Sequence, residues 1–159
     1  MTEDASFADG DERPLRLIAH EAADLGVISA LVQDAILPAS EMVWQPRQRR
    51  FALLLNRFRW EDPLNANGRR RRAERVQSVL HFDDVVKVRS QGLDPAQKDL
   101  VLSLLALDFT PGADGTGTLT LTLAGDGVIA LDLEALNITL QDVSRPYRAP
   151  SGKVPRHAD

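Results

Sequence analysis

Apolar residues recur at three- and four-residue spacing early in the chain and at every second position thereafter. Leu25, Ile28, Leu31, Val32, Ala35 and Ile36 make one apolar face, which predicts an amphipathic helix from Ala22 or Asp24 to Ile36. Asp24 suits its N-terminus and Pro38 closes its far end. Asp34 then falls in the last helical turn, where a carboxylate opposes the macrodipole. Leu15–Ala19 is a short apolar strand before the helix.

Strand patterns follow at Glu41–Gln45, Arg49–Trp60, Val76–Phe82, Val85–Gln91, Leu100–Thr110, Thr118–Ala124, Val128–Leu133 and Asn137–Val143. Arg49–Trp60 would span about 40 Å if straight, beyond the usual strand length. Arg49, Phe51, Leu53, Leu55, Arg57 and Arg59 share one face. Arg50, Ala52, Leu54, Asn56, Phe58 and Trp60 share the other. Its middle is apolar on both faces and its ends are basic, which suits a bent strand serving two sheet regions or a barrel. Thr118–Leu123 alternates threonine and leucine, one face wet and one dry.

Turn chemistry separates these segments. Pro111–Gly117 and Gly125–Gly127 read as hairpin connections, Asp83-Asp84 as a tight turn, and 61–72 as an excursion with Pro63 and Asn67-Gly68. Asp94-Pro95-Ala96-Gln97 marks a short helical turn before Leu100. The predicted fold is α+β, mainly antiparallel β (meander, sandwich or barrel-like), with one N-terminal amphipathic helix. Phe82-Asp-Asp-Val85 before Val86-Lys-Val88 echoes Leu133-Glu-Ala-Leu136 before Ile138-Thr-Leu140. A duplicated β-meander and a chance likeness of alternating strands are both open readings.

Length and composition bound the rest. The chain has 159 residues, enough for one domain with a real core. Residues 1–13 form an acidic stretch expected to be disordered, 14–144 a single globular domain, and 145–159 a basic tail with three prolines. There is no cysteine, which removes disulfides, thiolate metal sites and thiol nucleophiles. No secretory signal pattern and no membrane span are visible, so a cytoplasmic protein is expected.

Charge is distributed unevenly. Ten arginines against Glu61, Asp62 and Glu74 give the stretch Arg47–Arg75 a charge of +7 in a chain of net −4. They are Arg47, Arg49, Arg50, Arg57, Arg59, Arg69, Arg70, Arg71, Arg72 and Arg75, with Trp60 among them. Arginine forks match carboxylates and phosphates, so these eleven residues are the candidate site for an acidic protein or a small anion. Interleaved aromatics (Trp44, Phe51, Phe58, Trp60) make a single-stranded RNA binder the alternative. The sequence pI near 5.4 opposes that alternative. Arg69–Arg72 are expected to be exposed. Arg57 and Arg59 are expected to pack their stems and have their heads held by carboxylates or a ligand.

No nucleophile elbow, phosphate loop, dinucleotide fingerprint or zinc-protease motif occurs. No catalytic residue, cofactor or metal site is therefore assigned, and an enzyme with a motif-free pocket is the remaining alternative. Among the histidines, His157 lies in the tail and His20 at the start of the helix. His81 shares a strand face with Asp83, but two ligands do not make a metal site.

Leu31-Val-Gln-Asp-Ala35, Met42-Val-Trp44, Arg50-Phe51 and Leu53-Leu-Leu-Asn-Arg-Phe-Arg-Trp-Glu61 together resemble an uncharacterised domain-of-unknown-function family of small alphaproteobacterial proteins. The resemblance runs across most of Leu15–Tyr147. It implies a bacterial, cytoplasmic, single-domain protein and brings no activity, cofactor or catalytic residue with it.

Overall fold

The structure, a computed structural model, describes residues 14–59, 74–94, 96–145 and 147–148. Among the described residues eleven strands and one α-helix follow in chain order: β1 (Arg16–Ala19), α1 (Ala22–Leu31), β2 (Ala35–Pro38), β3 (Met42–Gln45), β4 (Arg50–Phe58), β5 (Glu74–Phe82), β6 (Val85–Gln91), β7 (Val101–Pro111), β8 (Gly117–Leu123), β9 (Val128–Leu133), β10 (Ile138–Asp142) and β11 (Tyr147–Arg148). The fold is α+β, and every strand pair among the described residues is antiparallel. The main path runs β1-β10-β5-β4-β2-β7-β8-β9-β6 and stays open, with β3 added to β4 and β11 to β5.

This one sheet bends so that two arms face each other across a single core. Phe51, Leu53, Leu55, Leu80, Phe82, Ile138 and Leu140 come from the β1-β10-β5-β4 arm. They share one buried cluster with Leu104, Leu107, Leu119, Leu121, Leu131 and Leu133 of the β7-β8-β9-β6 arm. The alternation read from the sequence selects these residues: along β4 the core takes Phe51, Leu53, Leu55 and Arg57, while Ala52, Leu54 and Asn56 face the other way half-buried. Two bent ribbons carry the chain between the arms. β5 passes into β6 at Asp83-Asp84, and β9 passes into β10 at Glu134–Asn137. The corners bond to each other, Asp83 N donating to Asn137 O and Glu134 N to Asp84 O, both at 2.9 Å. The two segments that echo each other in sequence are thus partners in space, with Phe82 opposite Ile138 and Val85 opposite Leu133.

The helix is shorter than its periodicity predicts. It ends at Leu31, and Ala35–Pro38 forms strand β2, inserted between β4 and β7. Ala35 and Ile36 keep the helical spacing but satisfy their backbone in the sheet, where an Ile side chain packs well. Asp34 lies past the helix with φ 66°, a left-handed conformation that aspartate tolerates. Its amide donates to Leu104 O at 2.8 Å, so the expected conflict with the macrodipole does not arise. The N-cap is Glu21, extended and without a side-chain cap, and Asp24 stands in the first turn, where a carboxylate favours the dipole. Leu25 and Ile28 are the buried face. The helix packs on β1 and β7, pinned where Leu107 N donates to Ser29 Oγ at 3.0 Å.

β4 is also shorter than its pattern. Arg49 turns with φ 55° and so leaves the face it was expected to share with Phe51; the strand ends at Phe58. The short turn expected before Leu100 is formed, Gln97 N donating to Asp94 O at 3.0 Å and Ala96 N to Asp94 Oδ1 at 2.9 Å.

Candidate functional site

The arginine stretch divides into residues held inside and residues at the surface. Arg57 is fully buried at 0% exposure. A buried cation is stable only when paired and fully hydrogen-bonded, and the fold supplies both. Arg57 Nε and Nη2 donate to Asp142 Oδ1 and Oδ2 at 3.1 and 3.0 Å, a two-point fork. Nε also lies 3.2 Å from Ser78 Oγ, and Nη1 donates to Phe58 O at 3.1 Å. Asp142 further accepts from Ser78 Oγ at 2.7 Å and from Leu15 N at 3.0 Å. One carboxylate therefore ties β4, β5, β10 and the lead into β1 together. Arg59 is nearly buried and donates Nη1 to Glu74 Oε1 at 2.7 Å. Arg75 places its guanidinium 5.1 Å from the Phe58 ring centroid, a cation–π contact.

At the other end of β4, Arg50 Nε donates to Asp83 Oδ1 at 2.7 Å and Arg49 Nη2 meets Glu134 Oε1 at 2.6 Å. Arg47 is exposed in the β3–β4 turn and makes no ion pair with another described residue. Trp60 and Arg69–Arg72 lie outside the described residues. The fold thus places Arg57 and Arg59 in the interior, against carboxylates, and leaves Arg47, Arg49, Arg50 and Arg75 at or near the surface. These surface residues sit at opposite ends of the strand.

His81 sits beside Arg50 and Asp83 on the face turned away from the core. Its Nδ1 is 3.2 Å from Asp83 Oδ2, close enough for an ion pair but off the hydrogen-bond direction, so the nitrogen has no well-aligned partner. Burial, then the Arg50 charge, lowers the imidazole pKa below its usual 6.5, and this outweighs the opposing pull of Asp83. Both effects favour the neutral ring. Among the described residues no group of three or more His, Asp or Glu side chains could hold a metal.

A cavity of about 470 Å³ opens between the two arms, at the end where β4 begins. Its floor is apolar: Met42, Phe51, Val88, Leu102 and Ile129. Its rim is Ser40, Ser90, Asp94, Gln97 and Lys98. Val88 and Ser90 reach it from the inner side of β6, whose register shifts between Val85 and Lys87. Gly92 leads the chain from β6 into the rim with φ +76°, where an added Cβ would stand 2.5 Å from Asp126 O; only glycine fits that passage. The rim segments are joined by backbone bonds, Ser40 N to Lys98 O at 3.0 Å and Ala39 N to Leu100 O at 2.8 Å. Sequence reasoning missed this site entirely. Its lining comes from five separate stretches, and no local motif marks any of them.

No helix among the described residues is long and apolar enough to cross a membrane. No curated protein and no solved structure matches the chain. The family model described as a protein of unknown function, DUF2948, matches residues 15–157, nearly the whole chain, and covers the described fold from β1 to β11. The chain belongs to the DUF2948 family.

Proposed function

We propose that the protein is a non-catalytic cytoplasmic binding protein whose site is the cavity between the two sheet arms, and whose ligand is small and largely apolar. The observation that carries this reading is the combination of empty apolar volume with polar rim side chains that no described residue engages. At about 470 Å³ the space falls in the range of small-ligand pockets. Ser40, Ser90, Gln97 and Lys98 make no side-chain hydrogen bond to any described residue, so donors that could orient a ligand stand ready at its mouth. Neither rim serine has a base within hydrogen-bond distance, which favours holding a ligand over attacking one.

The test is a saturation titration of the full chain with the uncharged fluorophore N-phenylnaphthylamine. Ser90 is exposed and lines the cavity, so Ser90→Trp places an indole in the space without replacing a core side chain. Saturable binding to the wild type, weakened at least tenfold in Ser90→Trp with unchanged circular dichroism, is the expected result. Equal binding to both proteins would remove the reading.

An arginine surface for an acidic protein or a small anion ranks second. It rests on Arg47, the one described arginine of the stretch that is exposed and without an ion pair to another described residue. The carboxylate partners of Arg49, Arg50, Arg57 and Arg59 weigh against it.

A further inference from the structure

We infer that the occupant of the cavity is a single-chain carboxylic acid, its chain on the apolar floor and its carboxylate at Lys98. This deepens the binding reading above and rests on it. The rim carries one cation and one carboxylate, and the two are not equivalent. Asp94 is committed to its own turn: Oδ1 accepts from Ala96 N at 2.9 Å and its backbone oxygen from Gln97 N at 3.0 Å. Lys98 has its backbone fixed instead, through the bond from Ser40 N to its carbonyl, while its ammonium forms no ion pair with any described residue.

The Ser40 and Ser90 hydroxyls and the Gln97 amide line the same cavity, three further donors that no described residue engages. Donors sharing a cavity with a positive charge that has no ion-pair partner are complementary to an anion that accepts through two oxygens. The floor dictates the rest of the molecule. Met42, Phe51, Val88, Leu102 and Ile129 present no polar side-chain group, and methionine adapts to irregular apolar shapes. Leu100, on the rim and 44% exposed, offers more apolar surface beside the head group. An alcohol of the same chain length would gain the floor and lose the charge; an amine would also meet Lys98 as a like charge.

The experiment compares decanoate, decanol and decylamine on the full chain by displacement of N-phenylnaphthylamine and by calorimetry, at low ionic strength. Decanoate should bind about two- to fivefold more tightly than decanol, the range of a solvent-exposed ion pair, and decylamine should bind most weakly. Lys98→Ala should bring decanoate to the level of decanol, and Lys98→Glu should invert the order of acid and amine. Lys98 is exposed, so both variants keep the fold, which circular dichroism checks. Decanol binding as tightly as decanoate, or decanoate indifferent to Lys98→Ala, overturns the inference. If decanol still binds the wild type but not Ser90→Trp, the cavity remains a ligand site and only the head-group assignment falls. If no chain-bearing ligand displaces the fluorophore, both fall.

Discussion

The two ends of β4 place side chains in opposite circumstances. Near its C-terminal end Arg57 enters the interior and meets Asp142, Ser78 and a backbone carbonyl. At its N-terminal end Phe51 enters the same core but borders an open cavity of about 470 Å³, where polar side chains stand unpaired around apolar walls. The first end contains the more conspicuous chemistry, a fully buried cation. The second contains ordinary side chains around a space. Conspicuous buried charge is poor evidence of a functional site when every bond it can form is made within the protein. A concave apolar surface rimmed by polar side chains that no described residue engages points more directly to a ligand.

The contrast is sharpest in stability. Asp142→Ala leaves Arg57 buried without its counter-charge and should cost about 3–5 kcal/mol, read from the midpoint of urea unfolding. Replacing both partners, Arg57→Met with Asp142→Leu, should recover most of that loss. Failure of the double variant to recover would mean the pair specifies the fold rather than merely surviving in it. At the open end, Ser90→Trp should change stability by less than about 0.5 kcal/mol, as surface substitutions do. A large loss there would make the two ends alike and break the comparison.

Ser78→Ala removes one donor from Asp142 while leaving the fork intact, and should cost about 1–2 kcal/mol in the same assay. The next effect lies at His81, opposite Ala52 at the N-terminal end of β4 and on the face turned away from the core. Its pKa is lowered in the folded chain, so the unfolded chain binds the proton more readily. Stability from this group is therefore complete above the unfolded value of about 6.5 and declines as pH falls through it toward the lower folded value. His81→Gln should flatten the slope of unfolding free energy against pH between neutrality and mild acid. An unchanged slope would assign it elsewhere. The smallest effect expected is on polyanions. Because Arg49, Arg50, Arg57 and Arg59 face internal carboxylates, the chain should bind heparin and single-stranded RNA weakly even at low salt. Tight binding with a log–log salt slope of about 4 or more, corresponding to several phosphate contacts, would return the arginine stretch to first place.

Much of the fold was legible because it depends on local alternation. The Thr–Leu alternation of β8, the apolar faces of β4 and the glycine-bearing hairpins are written at spacings of a few residues. The end of α1 was not legible, because Ala35 and Ile36 fit a helix as well as a strand and only their neighbours β4 and β7 decide between the two. That Arg57 and Arg59 need carboxylate partners could be anticipated from burial of a strand flanked by aromatics. That Asp142 is the partner of Arg57 could not, since 85 residues separate them. The cavity was illegible for the same reason in stronger form: Ser40, Val88, Lys98 and Ile129 come to line one space only after the sheet has bent.

The paired corners at Asp83-Asp84 and Glu134–Asn137 also bear on how the chain reaches this structure. The β7-β8-β9-β6 arm is one stretch of chain, Val85–Leu133, but the β1-β10-β5-β4 arm takes its strands from both sides of that stretch and cannot be completed until both ribbons are in place. Assembly must wait for partners far apart in the chain, such as Phe82 with Ile138 and Arg16 with Gln141, and this places folding in the millisecond-to-second regime of non-local β topologies. A cut between β6 and β7 separates β6 from β9 and β5 from β10, and would therefore yield two fragments unstructured alone that recover the fold on mixing, rather than one folded half and one lost one.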